Sequence, residues 1–143
     1  PEAYEKMGHH LTTFKDGDMA LIAQELDFWG VNFYSRHVIS GEGEFVKVPG
    51  SEYTEMDWEV CAPSLRRLLV RLYQDYKLPP LYITENGSAF KDEVSADGKI
   101  HDPRRLDYLK QHLIQTRLAM LDGADVRGYF AWSLMDNFEW SFG

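Results

Sequence analysis

The chain has 143 residues, of which 44% are hydrophobic and 14% aromatic, and 15 Lys and Arg against 23 Asp and Glu give a net charge of −8. The length suits one small domain, no apolar run reaches the roughly 20 residues of a membrane span, and the acidic balance argues against nucleic acid as a partner. A single cysteine, Cys61, excludes an intrachain disulfide framework and a cysteine-cluster metal site. The chain opens without a signal peptide, which favours a cytoplasmic location.

Apolar periodicity and turn residues divide the chain into alternating helices and strands. The predicted helices are Asp16–Leu26, Pro63–Tyr76 and Pro103–Leu121. The predicted strands are the β-prone apolar runs Phe28–Tyr34, Leu81–Thr84 and Val126–Trp132. Glycine-containing segments 35–61 and 85–101 are predicted as long loops, the first with room for a small hairpin.

The third predicted helix carries a clear start signal. Asp102 is expected as its N-cap and Pro103 as its first helical residue. Its apolar residues are Leu106, Leu109, Leu113, Leu118 and Leu121.

Strands that alternate with helices indicate parallel pairing in right-handed βαβ units. In both units the loop after the strand is long and the connection from helix to strand is short. This asymmetry fits either an α/β barrel or an open parallel sheet, and in both folds function lies at the carboxyl ends of the strands.

The three strand ends carry polar and aromatic residues. Asn32 and Tyr34 end the first strand, Glu85 follows the second, and Trp132 ends the third. Glu85 directly follows an apolar strand, so we expect it to be partly buried and to need polar partners. Such a buried carboxylate could serve as a nucleophile or a general base. A metal ligand is least favoured, because few histidines lie nearby. The ordinary alternative is a capping or solvated loop carboxylate.

Four segments carry recognisable motifs. They are 82–87, which reads Tyr-Ile-Thr-Glu-Asn-Gly, and the segments 28–35, 57–60 and 128–140. In this order and spacing they resemble glycoside hydrolase family 1, the β-glucosidase family. The segment 82–87 resembles its nucleophile motif, 28–35 its sixth strand, 57–60 its aglycone-side Trp motif and 128–140 its eighth-strand signature. The resemblance covers essentially the whole chain and implies the C-terminal part, about strands six to eight, of a (β/α)8 TIM barrel.

The resemblance implies a catalytic role for Glu85. It would be the nucleophile of a retaining β-glycosidase and form a glycosyl-enzyme intermediate. Tyr34 would hydrogen-bond Glu85 and help to keep it ionised and oriented. Asn32 would lie near the acid/base and the sugar 2-hydroxyl. No metal or other cofactor is expected.

The resemblance also implies a sugar-binding set. Trp132 would form the floor under the glycone, Glu139 would accept hydrogen bonds from two sugar hydroxyls, and Trp140 would donate its indole N–H to another. Trp58 would line the aglycone side. A carboxylate at Glu139 would repel a sugar 6-phosphate, so the expected substrates are unphosphorylated β-glucosides or related β-glycosides.

One component of the mechanism is missing from the sequence. The family's acid/base Glu lies in an Asn-Glu-Pro motif, which does not occur here. We therefore expect residues 1–143 to be a partial barrel rather than a complete domain, with Pro1 and Gly143 at cuts. A missing N-terminal barrel segment would supply the acid/base. The 143 residues alone would not form a stable monomer and would be inactive or nearly so.

Two other interpretations stay open. The absent acid/base also fits a catalytically silent carbohydrate-binding or scaffold fragment. A small flavodoxin-like domain is less favoured, because no Gly-rich phosphate loop follows a strand.

Overall fold

The computed structural model describes residues 15–76 and 78–142. Its helices are α1 (Asp18–Ile22), α2 (Ala62–Asp75) and α3 (Pro103–Leu121), with a short 3-10 helix at Trp140–Phe142. Its strands are β1 (Trp29–Asn32), β2 (Leu81–Asn86) and β3 (Val126–Ala131). The alternation of strands and helices predicted from the sequence is confirmed.

The strands form one parallel sheet in the order β1-β2-β3. β2 is central, with Ile83 opposite Val31 of β1 and Tyr129 of β3. Because all three strands run in the same direction, their carboxyl ends meet at one edge, where Asn32, Asn86 and Ala131 lie.

The hydrophobic core lies between this sheet and the two long helices. Leu65 and Leu69 of α2, Leu81 and Ile83 of β2, and Ala119 of α3 are fully buried in one cluster. Burial of each large aliphatic side chain stabilises the fold by about 1.5–3 kcal/mol. α2 also packs on α3, so sheet and helices form a two-layer α/β unit.

The first predicted helix and strand are both too long. The helix covers only Asp18–Ile22, and its apolar residues Met19 and Ile22 are exposed. β1 is shorter than predicted and only Val31 within it is buried, so the prediction of a buried strand is wrong. The physical reason is that side chains alternate between the two faces of a strand and the long helices cover only one face of the sheet. Gly30 and Asn32 therefore project to the uncovered face and stay exposed.

The third helix has the predicted bounds, but a different face points inward. Its buried residues are Tyr108, His112, Thr116 and Ala119, whereas Leu106, Leu113 and Leu121 are exposed. Asp102 is the N-cap by position, but its side chain makes no capping hydrogen bond and pairs with Arg105. The aromatic and polar stripe at four-residue spacing, rather than the leucines, faces the sheet.

The long loop after β1 is braced by two isolated antiparallel bridges, Ile39 with Phe45 and Tyr53 with Glu59. These bridges close two small turns within the predicted loop 35–61. Among the described helices none is both long and apolar enough to cross a membrane.

Candidate active site

The second strand extends further than the sequence predicted, and this places Glu85 within β2. The strand continues through Glu85 and Asn86, because the backbone is bonded on both sides. Phe33 N donates to Glu85 O at 2.9 Å, and Trp132 N donates to Asn86 O at 2.9 Å. Neighbouring backbone on both sides therefore fixes the direction in which Glu85 projects.

An irregularity in pairing brings Asn32 opposite Glu85. The register between β1 and β2 shifts after Val31, so that Asn32 pairs with Glu85 rather than with Thr84. Thr84 Oγ1 donates to Asn32 Oδ1 at 2.7 Å. Such bulges often re-aim side chains at functional sites.

Tyr34 and Glu85 are in direct contact. The Tyr34 hydroxyl donates to Glu85 Oε2 at 2.6 Å, and both side chains are half-buried. Burial raises the pKa of Tyr34 well above its ordinary value, and the Glu85 hydrogen bond and the nearby Glu85 and Glu139 charges raise it further. Tyr34 therefore stays protonated and remains a donor to the carboxylate.

The other carboxylate oxygen of Glu85 is free within the described part of the chain. No donor from residues 15–76 or 78–142 reaches Glu85 Oε1. One oxygen is thus held by a phenol while the second is available for chemistry.

Trp58 lies next to this pair. Its ring centroid is 5.2 Å from that of Tyr34, with the planes tilted by 48°. The loop that carries Trp58 is anchored by Glu59, which is only 5% exposed and accepts bonds from Arg36 Nε at 2.7 Å and Nη2 at 2.9 Å. Ser51 Oγ adds a third bond to Glu59 at 2.7 Å, and these contacts, led by that of Arg36, lower the Glu59 pKa.

The third strand end lies close to the second. Besides the backbone bond from Trp132 to Asn86, the carbonyl of Trp132 lies directly over Gly87. A Cβ added at Gly87 would stand 1.8 Å from Trp132 O, which no side chain tolerates. Gly87 is thus required for the approach of Trp132, whose own side chain is exposed.

Glu139 and Trp140 differ in their exposure and in their interactions with the other candidate residues. Glu139 is half-buried, accepts a bond from Asn137 Nδ2 at 3.0 Å and acts electrostatically on Tyr34. Trp140 is 84% exposed and makes no hydrogen bond or ring contact with the other candidate residues in the described ranges.

Asn86, Tyr108 and Tyr129 form a buried polar group beside the site that the sequence interpretation missed. Asn86 is fully buried and bonds to Phe33 O and to both tyrosine hydroxyls. Burial raises the pKa of Tyr129 to about 12. The available sequence signal is the four-residue spacing of Tyr108, His112 and Thr116 on α3.

The described residues contain no group of three or more His, Cys, Asp and Glu side chains suited to a metal ion. The chemical resources at the strand ends are instead a half-buried carboxylate held by a tyrosine, amide groups and exposed indole surface. A carboxylate with one oxygen held and the other free can act as a nucleophile or as a base.

Comparison with known proteins gives a consistent result over the whole chain. Residues 2–143 match the family model of Glycosyl hydrolase family 1. A β-glucosidase A from Thermotoga maritima is 43% identical over 135 residues, which cover 91% of this chain and 30% of the relative. A bifunctional β-D-glucosidase/β-D-fucosidase from Bifidobacterium breve is 43% identical over 150 residues, covering 90% and 33%.

Solved structures agree with the sequence matches. The Thermotoga maritima β-glucosidase in complex with noeuromycin superposes with a TM-score of 0.85 at 39% identity. The match covers 98% of this chain and 33% of the solved chain. This chain therefore spans about a third of the length of the relatives it matches.

Proposed function

The chain belongs to glycosyl hydrolase family 1, and we propose that it is the nucleophile-bearing part of a retaining β-glycosidase. The observation that carries this proposal is the 2.6 Å hydrogen bond from Tyr34 to Glu85. It fixes one carboxylate oxygen, while no donor from the described residues reaches the other. Glu85 is the proposed nucleophile and Tyr34 orients it.

We propose that residues 1–143 form about strands six to eight of a (β/α)8 barrel. The family 1 relatives are (β/α)8 barrels, and the present sheet of three parallel strands matches a part of them. Apolar side chains left exposed here, such as Phe28 and Phe130, would be covered by the remaining strands. These 143 residues together with the proposed five other strands make up the assembled barrel.

The first chemical step would transfer the sugar to Glu85. The free carboxylate oxygen attacks the anomeric carbon, the bond from that carbon to the leaving-group oxygen breaks, and an acid on the missing segment protonates that oxygen. Tyr34 holds the other oxygen of Glu85, so the attacking oxygen keeps a fixed direction. In the second step water, deprotonated by the same group, cleaves the ester and restores Glu85.

The sugar-binding residues extend from all three strand ends. Trp132 supplies an indole face for stacking under the glycone, and Glu139 and Trp140 bind its hydroxyls. Asn32 faces the 2-hydroxyl region, and Trp58, against Tyr34, lines the aglycone side. In the structure described here Trp140 is exposed, so its contact would form with the sugar or the remaining strands.

The proposed substrates are unphosphorylated β-glucosides or related β-glycosides. Glu139 contributes negative charge close to Tyr34, and a carboxylate at that point disfavours a sugar phosphate by like-charge repulsion. The relatives named above include a β-glucosidase and a β-glucosidase that also acts as a β-fucosidase.

Hydrolysis of an aryl β-glucoside by the assembled barrel tests the proposal. Early-time proton NMR should detect the β-anomer first, and Glu85→Gln should abolish turnover. Glu93→Gln, at an exposed loop residue, is the matched control and should retain it. Release of the α-anomer first, or full activity of Glu85→Gln, would contradict the proposal, and sugar binding without turnover would favour a silent binding protein.

A further inference from the structure

We propose that Asn86 is a positioning residue that holds Tyr34 and Glu85 in alignment through a buried hydrogen-bond network. The inference rests on the proposed function, because it concerns the same nucleophile. The Asn86 network is defined as Asn86, the carbonyls of Phe33 and Tyr34, and the hydroxyls of Tyr108 and Tyr129.

The Asn86 amide nitrogen reaches β1 and α3. Its Nδ2 donates to Phe33 O at 2.7 Å and to the Tyr108 hydroxyl at 3.2 Å. That hydroxyl in turn donates to Tyr34 O at 3.0 Å. Asn86 is therefore linked through two bonds to the backbone of the residue that holds Glu85.

The Asn86 side-chain oxygen and backbone reach β3. Its Oδ1 accepts a hydrogen bond from the Tyr129 hydroxyl, and its backbone oxygen accepts from Trp132 N at 2.9 Å. Asn86, which is adjacent to Glu85 in sequence, thus forms hydrogen bonds at the ends of β1 and β3 and with α3. Both of its side-chain protons and its side-chain oxygen are used.

The network requires an amide rather than a carboxylate. Phe33 O can only accept, so its partner on Asn86 must donate. The Tyr108 proton is directed to Tyr34 O, so Tyr108 needs a donor from Asn86. Asn86→Asp keeps the shape but removes both donors and adds a buried charge next to Glu85, which makes it a near-isosteric test.

The expected effect is on reaction geometry rather than on sugar binding. If the Tyr34 backbone moves, its hydroxyl no longer fixes Glu85 Oε2, and a displacement near 1 Å of a reacting group can reduce the rate about 10²-fold. The sugar-contacting residues proposed above do not bond to the Asn86 side chain. The rate constant of glycosylation should therefore fall while the binding constant changes little.

The experiment measures inactivation of the assembled barrel by 2,4-dinitrophenyl 2-deoxy-2-fluoro-β-glucoside. For Asn86→Ala and Asn86→Asp we expect the maximal inactivation rate to fall about 10²-fold, with the inhibitor constant changed by about threefold or less. Leu69→Ala is the control, because it opens the core but removes no hydrogen-bonding group of the Asn86 network. It should lower the melting temperature but leave the inactivation rate intact below that temperature.

A double-mutant cycle separates positioning from general damage. In a Tyr34→Phe background, where the hydroxyl bond to Glu85 is absent, Asn86→Ala should cost only about 10-fold. If Asn86→Ala lowers the inactivation rate by the same factor in the Tyr34→Phe background as in wild type, the inference is overturned. If Asn86→Ala does not fold, the inactivation rate is measured for Tyr129→Phe instead, which removes one hydroxyl of the network and keeps the ring.

Two outcomes distinguish failure of the proposed function from failure of the positioning role of Asn86. A wild-type assembled barrel that resists the inactivator would contradict the proposed function. A wild-type barrel that is inactivated at Glu85, with Asn86→Ala and Tyr129→Phe reacting at the same rate, would overturn the positioning role of Asn86 alone.

Discussion

Replacement of Gly87 by alanine tests the geometry of the second and third strand ends. The added Cβ would lie 1.8 Å from Trp132 O, whereas real Cβ contacts begin near 3.0 Å. The backbone segments at Gly87 and Trp132 must therefore separate by about 1.2 Å. The atom in the way is backbone rather than a flexible side chain, so a change of rotamer cannot relieve the clash. The separation would stretch the 2.9 Å bond from Trp132 N to Asn86 O and displace the proposed sugar floor.

The expected cost has two components. Overpacking of this kind destabilises a protein by about 1–3 kcal/mol, and a shift near 1 Å beside the nucleophile should lower kcat/KM about 10²-fold. The assays are thermal melting and aryl β-glucoside hydrolysis by the assembled barrel. Gly41→Ala is the matched control, because nothing lies within 4 Å of its added Cβ. If Gly87→Ala behaves like Gly41→Ala in both assays, the reasoning is refuted.

Three further predictions concern the Tyr34 contact with Glu85, the Glu59 ion pair with Arg36 and the exposed apolar surface. Tyr34→Phe removes a hydrogen bond to a carboxylate, worth about 1.5–3 kcal/mol, so kcat/KM should fall about 10- to 100-fold; unchanged kinetics would contradict its role. Glu59→Gln should lower the free energy of unfolding of the assembled barrel by about 2 kcal/mol, because it weakens the bonds from Arg36. Arg36 lowers the Glu59 pKa below 4.5, so the stabilisation by this pair should be complete above about pH 4.5 and be lost as the pH falls through the folded-state pKa. Melting curves of wild type and Glu59→Gln at several pH values measure this loss. A stability difference between them that does not change with pH would contradict it. The isolated 143 residues should give no cooperative monomeric melting by circular dichroism, since much apolar surface is exposed, and a sharp monomeric transition would disprove the partial-barrel proposal.

The order of elements and the long helix α2 could be predicted from the sequence because local periodicity determines them. Leu65 and Leu69 recur at helical spacing and are buried as that spacing requires. The meeting of Tyr34 and Glu85 also follows from parallel pairing, which brings the carboxyl ends of neighbouring strands to one edge.

The remaining features depend on tertiary contacts. The end of β2 could not be predicted, since Glu85 and Asn86 are poor strand formers and are held extended by backbone on both sides. α3 turns Tyr108 inward because its hydroxyl has partners on Asn86 and Tyr34, a reason invisible in a pattern of leucines. α1 is short because its apolar residues find no surface to pack on within the described ranges.

The central claim is that Glu85 forms a covalent bond to the sugar. The most direct measurement is mass spectrometry of the assembled barrel after trapping with a 2-deoxy-2-fluoro glucoside, followed by peptide mapping. We expect one fluorosugar on the peptide that contains Glu85, and none in Glu85→Gln. A label on any other residue, or steady hydrolysis of the aryl β-glucoside with no trapped label, would contradict this claim.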